Sequence, residues 1–290
     1  MNNLNGILLM ILAMVGFTLE DVFIKQLSVT ITTSQILITL GVFSATAFAL
    51  MARFKGHNIF ARHAWTRTTI LRAFAEGIAA MAFVTSLSLV PISTVAAVFQ
   101  VTPLAITMGA ALFFGEAVGW RRWSAIIIGF IGVMIIIRPG FSSFDPSVLF
   151  VLISVVGVTF RDLITRRIPA NIASTVVSFQ AFCALVLAGL GLMFFRADPL
   201  VAVTRLEAGY FLGGVIFGVT GYYGIVAAMR AGDAAVITPF RYTRLLFSLI
   251  VGVLIFNERP DALTLLGAAI IIGTGLYTFM REHRLSKANG

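Results

Sequence analysis

GFTLEDVFIKQ (residues 16–26) and GVTFRDLITRR (residues 157–167) are two versions of one segment. Gly16 corresponds to Gly157, Thr18 to Thr159, Asp21 to Asp162 and Lys25 to Arg166. The same offset, to within one residue, lays LFFGEAVGW (112–120) over LIFNERPDA (254–262), so that Glu116 matches Glu258. A nearly constant shift held over about 100 residues marks an internal duplication. Both opening segments sit in long apolar runs, so the chain places acids and bases twice where hydrocarbon is expected.

The whole chain supports that setting. Of 290 residues, 59% are hydrophobic and 11% charged, more apolar surface than a soluble domain of this size hides. A span needs about 20 apolar residues. Ten helices are predicted, at 5–27, 33–52, 69–89, 93–115, 122–138, 147–165, 172–195, 208–230, 234–256 and 262–280. The expected fold is an all-α membrane protein of ten transmembrane helices. They form two repeats, 1–140 and 141–290, the second ending in a short cytoplasmic tail. Five spans per copy is an odd number, so the second copy starts from the opposite face and the repeats are inverted. Transporters are often built this way, with the substrate site near the midplane between the halves.

Basic residues gather on one side of this topology. Arg53, Lys55, Arg62 and Arg67 lie in the longest loop, with Arg121, Arg122, Arg166, Arg167, Arg281 and Arg284 on the same face. Lys25, Arg138, Arg196, Arg205 and Arg259 lie on the other. The positive-inside rule then makes both termini cytoplasmic, in a bacterial inner membrane. The net charge of +9 therefore reports orientation and not nucleic acid. MNNLNG lacks a basic n-region, so the first run reads as an uncleaved span.

Thr18, Asp21 and Lys25 are spaced by three and four and share one helical face, as do Thr159, Asp162 and Arg166. Charges in hydrocarbon are expensive, so they face a bundle interior or water. Asp21 and Asp162 sit deep and suit a cavity. Lys25 and Arg166 suit either a functional pair or a base snorkelling from a helix end. Arg72 and Glu76 are four apart in the third span. Glu76 is deep enough to carry a proton, and Arg72 reads as its helix partner. Glu116 and Glu258 read as anchors of helix ends.

TPFRYTRLLF (238–247) carries the sharpest signal. Arg241 lies about 10 Å into the ninth span and Arg244 about 15 Å, close to mid-membrane. The matching stretch of the fourth span is FQVTPLA, where Phe99 and Gln100 align with Arg241 and Tyr242. A guanidinium suits a carboxylate or phosphate. It suits equally a structural salt bridge to Asp21, Glu76 or Asp162. Pro103 and Pro239 break the two copies at matching points, which lines a site or merely bends a helix. Small residues crowd EGIAAMA (76–82) and GGVIFGVTGYYG (213–224), for close packing. Tyr222 and Tyr223 add polar aromatic tips suited to a pocket.

The single Cys183 gives no disulfide or thiolate cluster, and the three histidines read as solvated, so no metal or other cofactor is expected. Walker, HExxH and GxSxG motifs are missing, so neither an ATP-driven pump nor an enzyme is expected.

These features resemble the drug/metabolite transporter superfamily and, within it, the EamA family. The resemblance covers nearly the whole chain. It is carried by the two five-helix repeats, by Lys25 late in the first span, and by residues 89–140 and 231–276 as two copies of the family's fourth-to-fifth-helix signature. It implies a central cavity, alternating access and a small metabolite such as an amino acid, often exported. Many relatives carry an arginine in the second span, whereas residues 35–51 here carry no charge.

The resulting expectation is a secondary transporter for a small carboxylate-bearing metabolite, acting as monomer or homodimer. Arg241 and Arg244 would take the anion, and Tyr222, Tyr223, Tyr242, Phe99 and Gln100 would form the walls. Asp21, Lys25, Glu76 and Asp162 would gate or couple to protons. The alternatives are uptake of a vitamin or nucleotide-like compound, or a non-transporting lipid-handling or sensory subunit.

Overall fold

The computed structural model describes residues 3–116, 118–141, 144–169, 171–231 and 234–288. The side chain of Arg284, placed above on the basic face, lies outside the described set, as do those of Arg230, His283 and Lys287. Among the described residues the secondary structure is helical throughout. It comprises α1 (Asn3–Leu27), α2 (Thr33–Phe54), α3 (Arg67–Leu89), α4 (Ile92–Phe99), α5 (Thr102–Phe114), α6 (Trp120–Ile137), α7 (Leu149–Thr165), α8 (Ser174–Arg196), α9 (Arg205–Ala231), α10 (Ala234–Ile237), α11 (Thr243–Phe256) and α12 (Ala262–Ala288). Ten of the helical segments are long and apolar enough to cross a membrane. Their ends agree with the predicted spans to within about five residues, because apolar runs and Gly or Pro punctuation mark them directly. The chain is a multi-pass membrane protein of ten helices in two repeats.

Two of the spans are broken. The fourth is α4 and α5 on either side of Gln100 and Val101. The ninth is α10, a 3₁₀ segment at Thr238–Tyr242, and α11.

The helices group into two compact units that draw on both repeats. One unit holds residues 1–18, 90–148 and 220–290, and the other holds 19–89 and 149–219. In the second unit α2 packs along α8, and α3 along α7 and α8. In the first, α6 packs along α12, and α4 along α11. Thus the second, fourth and fifth spans each lie against their own copies, the seventh, ninth and tenth. A Cβ at Gly132 of α6 would lie 2.9 Å from Gly267 O of α12, and one at Gly267 would lie 2.6 Å from Gly132 O. Only glycine at both positions allows that approach, which supplies the packing that drives helix association in lipid.

In the first unit α1 joins α9 and α10 through a core of Met10, Ala13, Met14, Ala228 and Ile237. Phe17, Phe240 and Phe247 pack against it. A Cβ at Gly221 would sit 3.4 Å from the Phe17 ring, so α9 passes close beside that ring.

Candidate functional site: two broken helices and a stacked arginine

The break in the fourth span follows from its sequence. Pro103 has no N–H and cannot donate to Phe99 O, four residues back. The Thr102 hydroxyl takes that carbonyl instead, at 2.5 Å. The regular helix is interrupted by a turn at Gln100 and Val101, which keep right-handed dihedrals, and resumes as α5. In the ninth span Pro239 has the same effect, and residues 238–242 tighten into a 3₁₀ segment. The Thr243 hydroxyl donates to Phe240 O at 2.6 Å.

The two breaks meet. Gln100 Nε2 donates to Arg241 O and to Tyr242 O, both at 3.4 Å. Where the regular ladder is interrupted in hydrocarbon, carbonyls need such substitute partners. The Arg244 guanidinium lies over the rings of Phe17, at 5.4 Å, and Phe99, at 5.6 Å from their centroids. Both distances are within cation–π range. Arg241 is half-buried on the 3₁₀ segment. Tyr242 is half-buried, and its hydroxyl has no hydrogen-bond partner among the described residues. A Cβ at Gly275 of α12 would overlap that hydroxyl, so the phenol tip is aimed at α12. Tyr222 and Tyr223 lie on α9 next to Gly221, the former half-buried and the latter 48% exposed. Phe99, Gln100, Arg241, Tyr242 and Arg244 thus converge at the paired breaks. Phe17 joins them. It lies within the opening stretch of sequence, but aromatic residues are too common in spans for its spacing to mark it.

The acids lie in the other unit. Glu76 is gripped by two arginines: Arg161 Nη1 donates to its Oε1 at 2.9 Å, and Arg72 Nη2 lies 3.1 Å from its Oε2, a close ion pair without hydrogen-bond alignment. Arg161 Nε also donates to Asp162 Oδ1 at 2.8 Å. The chain Arg72–Glu76–Arg161–Asp162 alternates in sign and is neutral, which makes burial of Arg72 at 3% exposure tolerable. Asp21 is buried at 3% exposure. Lys25 Nζ donates to Leu87 O at 3.1 Å, placing a cation on the C-terminal carbonyls of α3, where the helix dipole favours it.

A third polar feature lies at the loop end of the first unit. A left-handed residue closes α5 at Gly115 (φ 66°) and α11 at Asn257 (φ 53°). The next residue in each case is a glutamate. Glu258 reaches the start of α4, accepting from Ile92 N at 2.6 Å, Ser93 N at 3.0 Å and Ser93 Oγ at 2.6 Å. Those amides have no partner inside the helix, and a carboxylate there also meets the positive end of the dipole. Above it opens a cavity of about 340 Å³, bordered by Thr94, Arg138, Asp145 and Arg259. Arg138 Nη2 donates to Asp261 Oδ1 at 2.5 Å, and Asp261 in turn caps α12 by accepting from Thr264 N at 2.9 Å. The Arg138 hydrogen bond, followed by those of Thr264, pulls the Asp261 carboxyl down to about 2. Among the described residues no group of three or more His, Cys, Asp or Glu is placed to hold a metal.

Ten spans in two related halves, with both copies of one span broken at matching positions and a cation set there, are features that recur in membrane transporters. A family model, that of the EamA-like transporter family, matches residues 4–138 and again 145–280. The chain belongs to the EamA-like transporter family. It is 26% identical over 287 residues to an S-adenosylmethionine uptake transporter of Rickettsia conorii, covering 97% of this chain and 94% of that protein. It is 31% identical over 222 residues to a riboflavin transporter of Rhizobium johnstonii, covering 76% and 72%. A pseudopaline exporter of Pseudomonas aeruginosa is 21% identical over 92% of this chain and 93% of its own. A solved crystal structure matches 94% of this chain and 98% of its own with a TM-score of 0.55 at 16% identity, which shows the same fold.

Proposed function

We propose that this transporter is a secondary active carrier of a small organic metabolite bearing a carboxylate or other anionic group, working by alternating access. The observation that carries the reading is Arg244 held between Phe17 and Phe99 at the point where two broken helices meet. Helix breaks at matching positions of two repeats are the best pointer to a transporter's site. A guanidinium steadied by two ring faces keeps a planar fork suited to an anion. In this reading Arg241 and Arg244 take the anion, while Phe17, Phe99, Gln100, Tyr222, Tyr223 and Tyr242 form the walls. Asp21, Lys25, Glu76 and Asp162 serve gating or proton coupling, and both termini are cytoplasmic. Glu76 joins Arg72 of its own helix to Arg161 of α7, so its part is better described as a latch than as an open relay.

A second reading is uptake of a vitamin or nucleotide-like compound. The names of two relatives favour it, since S-adenosylmethionine and riboflavin both carry a planar heteroaromatic ring. Phe17 and Phe99 would stack such a ring.

Counterflow in proteoliposomes separates the readings. Wild type and Arg241→Gln are loaded in turn with amino acids, dicarboxylates, riboflavin-like vitamins or nucleotides. Saturable exchange of a carboxylate pool, lost in the variant, supports the first reading. Exchange of the riboflavin-like pool, retained in Arg241→Gln, supports the second. Exchange unchanged in Arg241→Gln removes the anion role from that residue.

A further inference from the structure

In the second unit α3 and α7 run antiparallel, as Arg72 facing Thr165 and Glu76 facing Arg161 require. They cross closely where a Cβ at Gly157 would meet the Ala79 backbone at 3.0 Å. Beside that crossing lies an apolar trough of about 510 Å³. Leu71, Phe74 and Ile78 of α3 and Val156, Phe160 and Ile164 of α7 line it. Phe74 is 65% and Val156 54% exposed, so the trough is open to hydrocarbon.

Two features say what fills it. The first is length. From Leu71 to Ile78 is roughly 10 Å along a helix, and from Ile153 to Ile164 roughly 16 Å. Half of a bilayer's hydrocarbon core is about 15 Å. A trough of that length accommodates one acyl chain along its axis. The second is charge. At the Leu71–Ile164 end the flanking residues are Arg67, which opens α3, and Arg166 and Arg167, which follow α7. All three are exposed.

We propose that this trough is a binding site for an anionic phospholipid, with one acyl chain lying along α3 and α7 and the phosphate at Arg67, Arg166 and Arg167. Basic residues at a membrane surface each favour an anionic headgroup by about fivefold. Three give a preference on the order of a hundredfold over a zwitterionic lipid.

Native mass spectrometry of the delipidated full chain tests this, titrated with phosphatidylglycerol, phosphatidylcholine and glycerol phosphate. Phosphatidylglycerol is expected to bind on the order of a hundredfold more tightly than phosphatidylcholine. The variant Arg67→Gln/Arg166→Gln/Arg167→Gln is expected to bind the two lipids alike. Val156→Trp, which fills the trough from its exposed side, is expected to weaken phosphatidylglycerol with the arginines intact. Equal binding of both lipids by wild type overturns the proposal without recourse to any variant. So does saturation by glycerol phosphate alone, which would mean a headgroup site without a chain. Loss of a dimer as the main effect of Val156→Trp would assign the trough to a second copy instead.

Discussion

Gln100 donates its side-chain amide to the main-chain carbonyl of Arg241, tying the break in one copy of the duplicated span to the break in the other. A residue near the middle of the fourth span thereby sets the position of the backbone that carries both arginines of the ninth. Replacing it with Leu preserves volume and removes the donor. The expected loss of stability is about 1 kcal/mol, that of one ordinary hydrogen bond. The expected loss of counterflow is larger, because the carbonyls and the arginines above them are no longer held in register. Thermal unfolding in detergent beside counterflow reads the two effects. Transport falling only in step with folded protein would show the bridge to be structural alone.

Phe99→Leu and Phe17→Leu each remove one face of the Arg244 stack. Cation–π contacts contribute about 0.5–2 kcal/mol. Each variant is therefore expected to raise the half-saturating substrate concentration roughly two- to thirtyfold, with the maximal rate changed less. If neither variant shifts saturation, Arg244 does not meet substrate from between these rings.

Tyr242→Phe deletes a buried hydroxyl without a described partner. An unpaired buried polar group costs about 1–3 kcal/mol, so the variant is expected to be at least as stable as wild type. If the phenol acts only as a wall, transport is retained. A stable protein with impaired counterflow would instead give the hydroxyl a substrate contact.

Glu258→Ala leaves two amides at the start of α4 without an acceptor. A cost of about 1–3 kcal/mol is expected in chemical denaturation. Glu258→Gln keeps one acceptor oxygen and is expected to fall between. Equal stability of all three proteins would mean that solvent replaces the carboxylate there.

Asp261 supplies a dependence on pH. Its folded value is lowered to about 2, below the ordinary carboxyl value of about 3.9. Its contribution is therefore present above about pH 3.9 and is lost as pH falls through about 2. The carboxylate is 50% exposed, so solvent screening limits the effect to below about 1 kcal/mol. The stability advantage of wild type over Asp261→Asn is expected to hold at neutral pH and to shrink on acidification from about pH 4. An advantage that grows on acidification has the wrong sign for this pair.

The spans, the duplication and the two breaks were legible in the sequence because each is local. Apolar runs give the helices, Pro103 and Pro239 give the breaks, and a constant offset gives the repeat. Arg72 beside Glu76 was legible for the same reason, being one helical turn apart. The second grip on Glu76 was not, since Arg161 lies 85 residues further along. Phe17 against Arg244, Glu258 against Ile92 and Arg138 against Asp261 are hidden in the same way. Each pairing depends on which helices become neighbours, and one sequence carries no sign of that. The units were hidden as well. A repeat in sequence suggests two lobes, one per copy, yet spans from both copies pack together in each unit.

The hold of Glu258 on Ile92 also bears on the order in which the protein is made. When residue 92 leaves the ribosome, its acceptor is still 166 residues away. Until the ninth span has been inserted, the amides at the head of the fourth have no carboxylate to meet. The nascent chain must carry that helix end exposed through the synthesis of five further spans. Its capture by Glu258 is thus a late event in assembly, and a chain truncated after the first repeat is expected to persist as an unlatched substrate for membrane quality control.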